Sequence, residues 1–176
     1  MSKMDYLEES VTIAVAAGTE IDSYCNVPVY ENGLMFHRGH GKHYSDDGYY
    51  YGQKWQCVEY IKRFYKIVLN HQMPDGMGHA WAFFDDRLGQ GELNKKRGLL
   101  QFYNGQKAKP VLNDILVFQD TQYGHVGVVS AITEYSVEIV QQNIYGQPRQ
   151  QFSLTNNSNG WSIESPRIAA GWLRMP

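Results

Sequence analysis

The sequence is poor in cysteine, in proline and in charge of one sign. Its 176 residues include two cysteines, Cys25 and Cys57, and six prolines. Two cysteines in such different sequence contexts do not predict a disulfide framework. Sixteen basic and eighteen acidic residues leave a formal net charge of −2. We therefore expect neither nucleic acid nor a membrane surface as a partner.

Long apolar runs are also absent. The first 18 residues contain a short apolar segment, but acidic residues precede it, whereas a signal peptide begins with positive charge. A membrane-spanning helix needs about 20 apolar residues in a row. We therefore expect a cytoplasmic protein, although export by a dedicated secretion machine would leave the same sequence features.

No repeat, low-complexity tract or linker divides the chain. A chain of 176 residues fits one domain, because domains of this size bury a sufficient core. We predict a single domain over 1–176. Thirteen tyrosines and four tryptophans combine apolar rings with polar tips that need partners, which favours a recognition cleft.

One helix is predicted over 57–69. Its apolar residues recur at helical spacing and form a broad buried face. Glu59, Lys62, Arg63 and Lys66 fill the remaining arc, and Glu59 is spaced to pair with Arg63 across one turn.

Strands are predicted after the helix. Alternating apolar, β-branched residues over 114–118, 125–132 and 136–143 indicate an antiparallel meander, and the run 168–175 would close the sheet. One central helix followed by an antiparallel sheet is an α+β arrangement.

The rest of the chain gives weaker signals. Residues 26–54 are rich in glycine and indicate loops and turns. A second helix is expected near 79–88.

Cys57 stands in the first turn of the predicted helix. Unpaired backbone N–H groups and the positive end of the helix dipole lower the pKa of a thiol there, which suits a nucleophile. By position alone, a small buried hydrophobic residue is an equally good interpretation. A partner base must decide between the two.

His125 is the best candidate base among the six histidines. It begins an apolar strand directly after Gly124, where a polar side chain can emerge at the edge of a sheet. The loop histidines lack the spacing of a zinc site, so no metal is expected. The weaker candidates are His37, His40, His43, His71 and His79.

Strand pairing brings an amide to this histidine. The register that pairs Val129 with Ile139 and Ala131 with Val137 sets His125 opposite Asn143, and a slip of two residues sets it opposite Gln141. In both registers an amide side chain on the same sheet face can hydrogen-bond the imidazole, as the third member of a cysteine triad does.

The order of these residues is that of papain-like thiol hydrolases, with a cysteine at a helix start, a downstream histidine and an amide on the next strand. Gln56 directly precedes Cys57. Its carboxamide NH2 and the N–H of Cys57 can form an oxyanion hole.

Three segments resemble the signatures of CHAP amidases, which are cysteine- and histidine-dependent hydrolases of peptide-like amides. They are WQCVEYIKRFY (55–65), YGHVGVV (123–129) and QQN (141–143). Four more segments resemble, more narrowly, the amidase domain of glutathionylspermidine synthetase/amidase. They are GTEIDSYCN (18–26), KWQCVE (54–59), GMGHAW (76–81) and AGWL (170–173).

The resemblance implies a papain-like α+β fold of the CHAP and NlpC/P60 type, with the catalytic cysteine at the start of a central helix packed on an antiparallel sheet. It implies Cys57 as nucleophile, His125 as base, Asn143 and Gln141 as orienting groups, and Gln56 in the oxyanion hole. No cofactor or metal is implied.

The resemblance also implies substrate-binding residues. Lys62, one turn after the nucleophile, would hold a substrate carboxylate. The acyl side of the cleft would be lined by Met77, Gly78, His79 and Ala80.

Two residues depart from the family pattern. Gln141 stands where members commonly carry an acid, so the imidazolium lacks a counter-charge and Asn143 is left to orient the base unaided. Lys62 stands where the narrower group has an arginine, and a lysine supplies the charge without the bidentate fork.

These features predict a cysteine-dependent amide hydrolase that acts through a thioester and resembles the glutathionylspermidine amidases. One alternative is a peptidoglycan amidase or endopeptidase, acting as a lysin or antibacterial effector. The other is a degenerate CHAP domain that binds without catalysis. The expected partner is a small-molecule or peptide-like amide, and a separate synthetase or an inhibitor protein is compatible with the sequence.

Overall fold

The computed structural model describes residues 14–176. Residues 1–13, which hold most of the N-terminal segment considered for a signal peptide, lie outside the described residues. The elements are β1 (Glu20–Tyr24), β2 (Val27–Tyr30), β3 (Lys42–Tyr44), β4 (Tyr50–Gln53), α1 (Cys57–Leu69), a 3-10 helix (Ala80–Phe83), β5 (Leu93–Asn94), β6 (Leu99–Tyr103), β7 (Ile115–Phe118), β8 (His125–Ile132), β9 (Ser136–Gln141), β10 (Arg149–Asn157), β11 (Gly160–Glu164) and β12 (Ala169–Arg174).

Helix α1 has the predicted bounds. Gln56 precedes it in an extended conformation, with φ −78° and ψ 158°. Asn70 ends it in the left-handed conformation, with φ 49°, and donates its N–H to the carbonyl of Tyr65, as helix-terminating residues commonly do. Cys57 is therefore the first helical residue.

The charged arc of α1 is buried along its first two turns, because the hairpin of β3 and β4 and the chain near Gln142 cover it. Glu59, Lys62 and Arg63 are all buried. Glu59 pairs with Arg63 as the spacing predicts, with 2.6 Å between Oε1 and Nε.

Eight strands form one antiparallel sheet in the order β11-β10-β9-β8-β7-β12-β6-β5, and β1–β2 and β3–β4 form two separate hairpins. Alternate residues of the central strands enter different clusters. Ile115 and Val117 pack with the helix, whereas Leu116 and Phe118 pack on the opposite face. This period-two pattern with both faces covered explains why β7 is apolar throughout.

Three predictions for the sheet need correction. Residues 26–54 contain β2, β3 and β4 rather than loops alone. The C-terminal strand β12 lies between β7 and β6, so it is an interior strand and does not close the sheet. Strand β9 ends at Gln141, two residues earlier than predicted.

The helix expected near 79–88 forms only as the short 3-10 helix Ala80–Phe83. The carbonyls that would continue an α-helix accept hydrogen bonds from side chains instead. Arg97 donates to the carbonyl of Ala82 at 2.9 Å, and Asn94 donates to that of Phe83 at 3.0 Å.

One central helix on a large antiparallel sheet makes the fold α+β, as predicted. Within the part of the chain that the structure describes, no helix has both the length and the apolar character needed to cross a membrane.

Candidate active site

A cavity of about 650 Å³ opens where the start of α1 meets the start of β8. Cys57 and His125 both line it, as do Gln56 and Asn143. Residues that are far apart in sequence therefore meet at one surface.

The thiol of Cys57 is buried among backbone N–H groups. Burial raises the pKa of this thiol, and the N–H groups of Val126, Val58 and Cys57 itself act in the opposite direction. The low thiol pKa expected from the helix start is not found, because desolvation of the thiolate outweighs these donors.

His125 is held by Gln141. Its Nε2 lies 2.9 Å from Oε1 of Gln141, and Nε2 of Gln141 donates to the carbonyl of Gln147 at 3.0 Å. Because a carbonyl only accepts, the amide must present its NH2 to Gln147 and its oxygen to the imidazole. The proton of the neutral ring is therefore on Nε2, and Nδ1 carries the lone pair.

The imidazole is neutral at physiological pH. Burial and the charge of Arg167 lower the pKa of His125 to about 4, against the opposing effects of Gln141 and Asp120. With the thiol pKa raised, the two groups rest as a neutral thiol and a neutral base.

Within residues 14–176, the hydrogen bond of the His125 ring involves Nε2 alone, and no hydrogen bond joins the ring to Cys57. The lone pair of Nδ1 is thus not engaged by another protein group. An approach of the thiol and the imidazole in the presence of substrate would complete a proton-transfer path.

The pairing of β8 with β9 places Gln141 near His125. The strands pair Val129 with Ile139, as predicted, and Gly127 with Gln141, but a register shift pairs Ala131 with Glu138 instead of Val137. Gln141 is therefore the diagonal neighbour of His125, and its side chain reaches the imidazole.

Within residues 14–176, the hydrogen bonds of the Asn143 side chain do not include the imidazole, contrary to the expectation that it orients the base unaided. It follows the end of β9 with φ 70°. Its Nδ2 donates to Oε1 of Gln56 at 2.7 Å and to the carbonyl of Phe36 at 2.8 Å, and its oxygen accepts from Asn32 at 2.8 Å. The turn takes Asn143 toward the loop before α1.

Gln56 also has a different environment from the one predicted. Its Nε2 donates to the carbonyls of Phe36 and Arg38 at 3.1 and 2.9 Å. A carboxamide has two such hydrogens, so neither remains for an oxyanion in this structure. Gln56 instead ties the loop at 36–38 to the start of the helix.

Lys62 is not among the residues that line the cavity, contrary to its expected role on a substrate carboxylate, and it lies behind Gly76 and Tyr50, which do line it. Its Nζ is 4.9 Å from the ring centre of Tyr49 and 5.2 Å from that of Tyr50. Burial and the nearby charge of Arg97 lower the pKa of Lys62 to about 8. Adjacent Arg63 is committed to Glu59.

Met77, Gly78, His79 and Ala80 do line the cavity. Buried Arg97 holds this segment by donating to the carbonyls of Asp75 at 2.6 Å and Met77 at 3.2 Å. Its fork shape suits several carbonyls at once.

Gly124 sets the distance between this segment and His125. Its φ is +65°, and an added Cβ would lie 2.5 Å from the backbone N of Trp81 and 2.6 Å from the carbonyl oxygen of Phe118. Only glycine allows this approach.

Arg167 lines the same cavity and was not anticipated from the sequence. It lies between β11 and β12 and forms a two-point pair with Asp120, at 2.9 Å for both contacts. Its sequence surroundings carry no motif that marks it. Among the described residues no cluster of three or more potential metal ligands occurs.

Comparisons with known proteins agree with this architecture. The family model of the CHAP domain matches residues 47–143. The bifunctional glutathionylspermidine synthetase/amidase of Escherichia coli (strain K12) is 34% identical over 130 residues, which cover 69% of this chain and 19% of the relative. The protein of the same name from Shigella flexneri gives the same figures.

A more distant relative is trypanothione synthetase from Crithidia fasciculata. It is 26% identical over 173 residues, which cover 89% of this chain and 26% of the relative. The chain thus spans about a fifth to a quarter of the length of these proteins.

The segment matched by the family model is more than half of the chain, and it contains Cys57, His125 and Gln141. Its single helix and antiparallel sheet fit that family. The chain therefore belongs to the CHAP domain family.

Proposed function

We propose that this chain hydrolyses a peptide-like amide through a thioester on Cys57, with His125 as the base and Gln141 as its positioning residue. One observation carries the proposal. The hydrogen bonds of Gln141 leave the lone pair of the ring on Nδ1, in a cavity that Cys57 also lines.

The first step starts from two neutral groups. As the sulfur attacks the amide carbonyl, its proton passes to Nδ1 of His125. The developing oxyanion accepts from backbone N–H groups at the start of α1, of which that of Cys57 is the nearest candidate. Gln56 would add a donor only by releasing the carbonyls of Phe36 and Arg38.

The second step reverses the proton transfer. The imidazolium gives the proton to the leaving nitrogen as the C–N bond breaks, which leaves a thioester. Water then gives a proton to Nδ1 and attacks the thioester, and the thiol is released with that proton.

Glutathionylspermidine is the first substrate to test, because two relatives are named for its synthesis and amide hydrolysis. The assay incubates the chain with glutathionylspermidine and measures released spermidine by chromatography, with Cys57→Ala as the control. Release by the native chain alone would support this substrate.

A cell-wall peptide is the second candidate, and the charge of the cavity favours it. Among the described residues no aspartate or glutamate lines the cavity, so nothing there neutralises a polyamine. The matching assay measures soluble fragments released from peptidoglycan. If both assays fail and Cys57 is unreactive toward alkylating reagents, a non-catalytic binding role takes the place of both.

We further propose that residues 1–176 form one domain and act in the cytoplasm. Limited proteolysis tests the first statement, since a single domain would resist cleavage outside its termini. Cell fractionation tests the second.

A further inference from the structure

Arg167 gives the cavity its charge. Among the described residues that line the cavity, it is the one side chain with a permanent charge, and no carboxylate is among them. The histidines that line the cavity add no charge to it when they are neutral. A ligand in this cavity therefore meets no carboxylate in the lining, and Asp120, the acid that pairs with Arg167, is not among the lining residues.

The guanidinium is fixed in place. Nε and Nη2 donate to the two oxygens of Asp120, at 2.9 Å each, and Cζ lies 5.0 Å from the ring centre of Phe118. Within residues 14–176, Nη1 donates to no protein acceptor, and the side chain is 23% exposed. Arg167 thus presents a preorganised and unused pair of N–H donors.

Arg167 lies on the imidazole side of the thiol. Phe118, on which it stacks, pairs with His125 across β7 and β8, and the two rings are 6.2 Å apart. Its charge lowers the pKa of both His125 and Cys57. The leaving amine takes its proton from that imidazole, so this side is where the amine half of the substrate lies.

We infer that Arg167 binds a carboxylate group on the amine half of the substrate, next to the bond that is cleaved. This inference rests on the proposed hydrolysis at Cys57. A charged hydrogen bond from Nη1 would hold the carboxylate. The substrate class is then an amide whose amine half is an amino acid or peptide with a free carboxylate. A polyamine in that place would put an ammonium group against the guanidinium, which disfavours its binding.

Three alkylating reagents test this without knowledge of the substrate. Iodoacetate, iodoacetamide and 2-bromoethylamine carry negative, zero and positive charge at pH 7. Cys25→Ser serves as background, so that Cys57 alone reports. We expect Arg167→Gln to lower the ratio of the iodoacetate rate to the iodoacetamide rate about tenfold, which is the size of one charged hydrogen bond. The same variant should raise the ratio of the 2-bromoethylamine rate to the iodoacetamide rate.

A double variant separates the loss of the Arg167 donor from the change in net charge at the Arg167–Asp120 pair. Arg167→Gln leaves Asp120 unpaired, whereas Asp120→Asn with Arg167→Gln restores the neutral sum of the native pair. The ratio should stay low in the double variant, because the donor is still missing. A return to the native ratio, or no change in Arg167→Gln, would overturn the inference.

Two further variants complete the design. Arg87→Gln removes an equivalent two-point pair with Asp85 on an exposed surface and should leave the ratios unchanged. If Arg167→Gln does not fold, Arg167→Lys should still lower the ratio by removing the fork, and an unchanged ratio would contradict the inference. A different result would contradict the proposed function: an iodoacetamide rate that does not change when His125 is replaced.

Discussion

A neutral imidazole and a neutral thiol face one cavity, and their immediate neighbours determine their charge. Burial is the first cause for both. It raises the pKa of Cys57 and lowers that of His125 to about 4. The base is therefore available at any pH above about 4, and it loses its lone pair as the pH falls through that value.

Gln141→Glu would place a carboxylate beside Nε2 of His125, where 2.9 Å now separates the ring from a neutral oxygen. We expect the imidazole pKa to rise by about one to three units, because an opposite charge favours the protonated ring. A pH titration of the ring by NMR measures this. Gln150 contacts Gln141 and not the ring, so Gln150→Glu should raise the imidazole pKa less. Equal shifts, or none, would contradict the assigned contact.

At the scale of secondary-structure elements, two residues set where the segment 77–80 lies relative to β8. Gly124 permits the close approach of the backbone at Trp81. Arg97 binds the carbonyls of Asp75, Met77 and Ala82. The shape of the cavity thus depends on residues outside its catalytic groups.

Gly124→Ala should lower both stability and activity. Its Cβ would overlap backbone atoms of Trp81 and Phe118, and the left-handed conformation adds about 1 kcal/mol of strain. Gly146→Ala is the matched control, because it has φ +64° and nothing within 4 Å of the added carbon. Thermal unfolding compares the two. If both variants lose the same stability, the close contact has no effect of its own.

Arg97→Lys should loosen the segment at 75–82, because one ammonium group cannot reach three separated carbonyls. We expect a loss of about 1–3 kcal/mol in the free energy of unfolding, as for buried polar groups left without a donor. Hydrogen exchange by mass spectrometry should show faster exchange at 75–82 than in the native chain. Unchanged exchange there would show that Arg97 does not hold the segment.

Periodicity in the sequence was sufficient to predict α1 and the hairpin of β8 and β9. These elements follow from local spacing of apolar residues, and they place Cys57 and His125 at their first positions. For the residue that contacts His125, the same reasoning left two candidates, Gln141 and Asn143. The turn at Asn143 decides between them, because it takes that side chain to Gln56 and leaves Gln141 on His125.

Long-range packing explains the remaining misses. Arg167 reaches the cavity because β12 inserts between β7 and β6, and no local pattern specifies that order. Lys62 has the expected spacing from Cys57, but it is buried beside Tyr49 and Tyr50 and is not among the residues that line the cavity.

On the scale of the whole molecule, a buried polar network joins α1 to the hairpins and the sheet. Glu59 accepts from Arg63, from His43 at 2.8 Å and from Gln142 at 2.7 Å. Burial alone would raise the pKa of Glu59, but these three partners hold it below its usual value. Gln142 also donates to the carbonyl of Gln56 at 3.0 Å, which connects the network to the candidate site.

Glu59→Gln should destabilise the fold by about 3–5 kcal/mol, because it leaves the buried guanidinium of Arg63 without a counter-charge. The midpoint of urea unfolding at pH 7 measures this. Glu138→Gln, which removes the partly exposed pair with Arg149, should cost about 0–1 kcal/mol. If the two variants lost similar stability, burial would not make the Glu59–Arg63 pair more important than the exposed pair.

The rate at which iodoacetamide alkylates Cys57 at pH 7 tests the central claim most directly. The comparison uses a Cys25→Ser background with His125→Ala, and with His79→Ala as a second histidine of the same cavity. If His125 is the base, its removal should slow alkylation about a hundredfold, the scale of general-base assistance, and His79→Ala should leave the rate nearly unchanged. Equal rates in the native chain and in His125→Ala would contradict the pairing of Cys57 with His125.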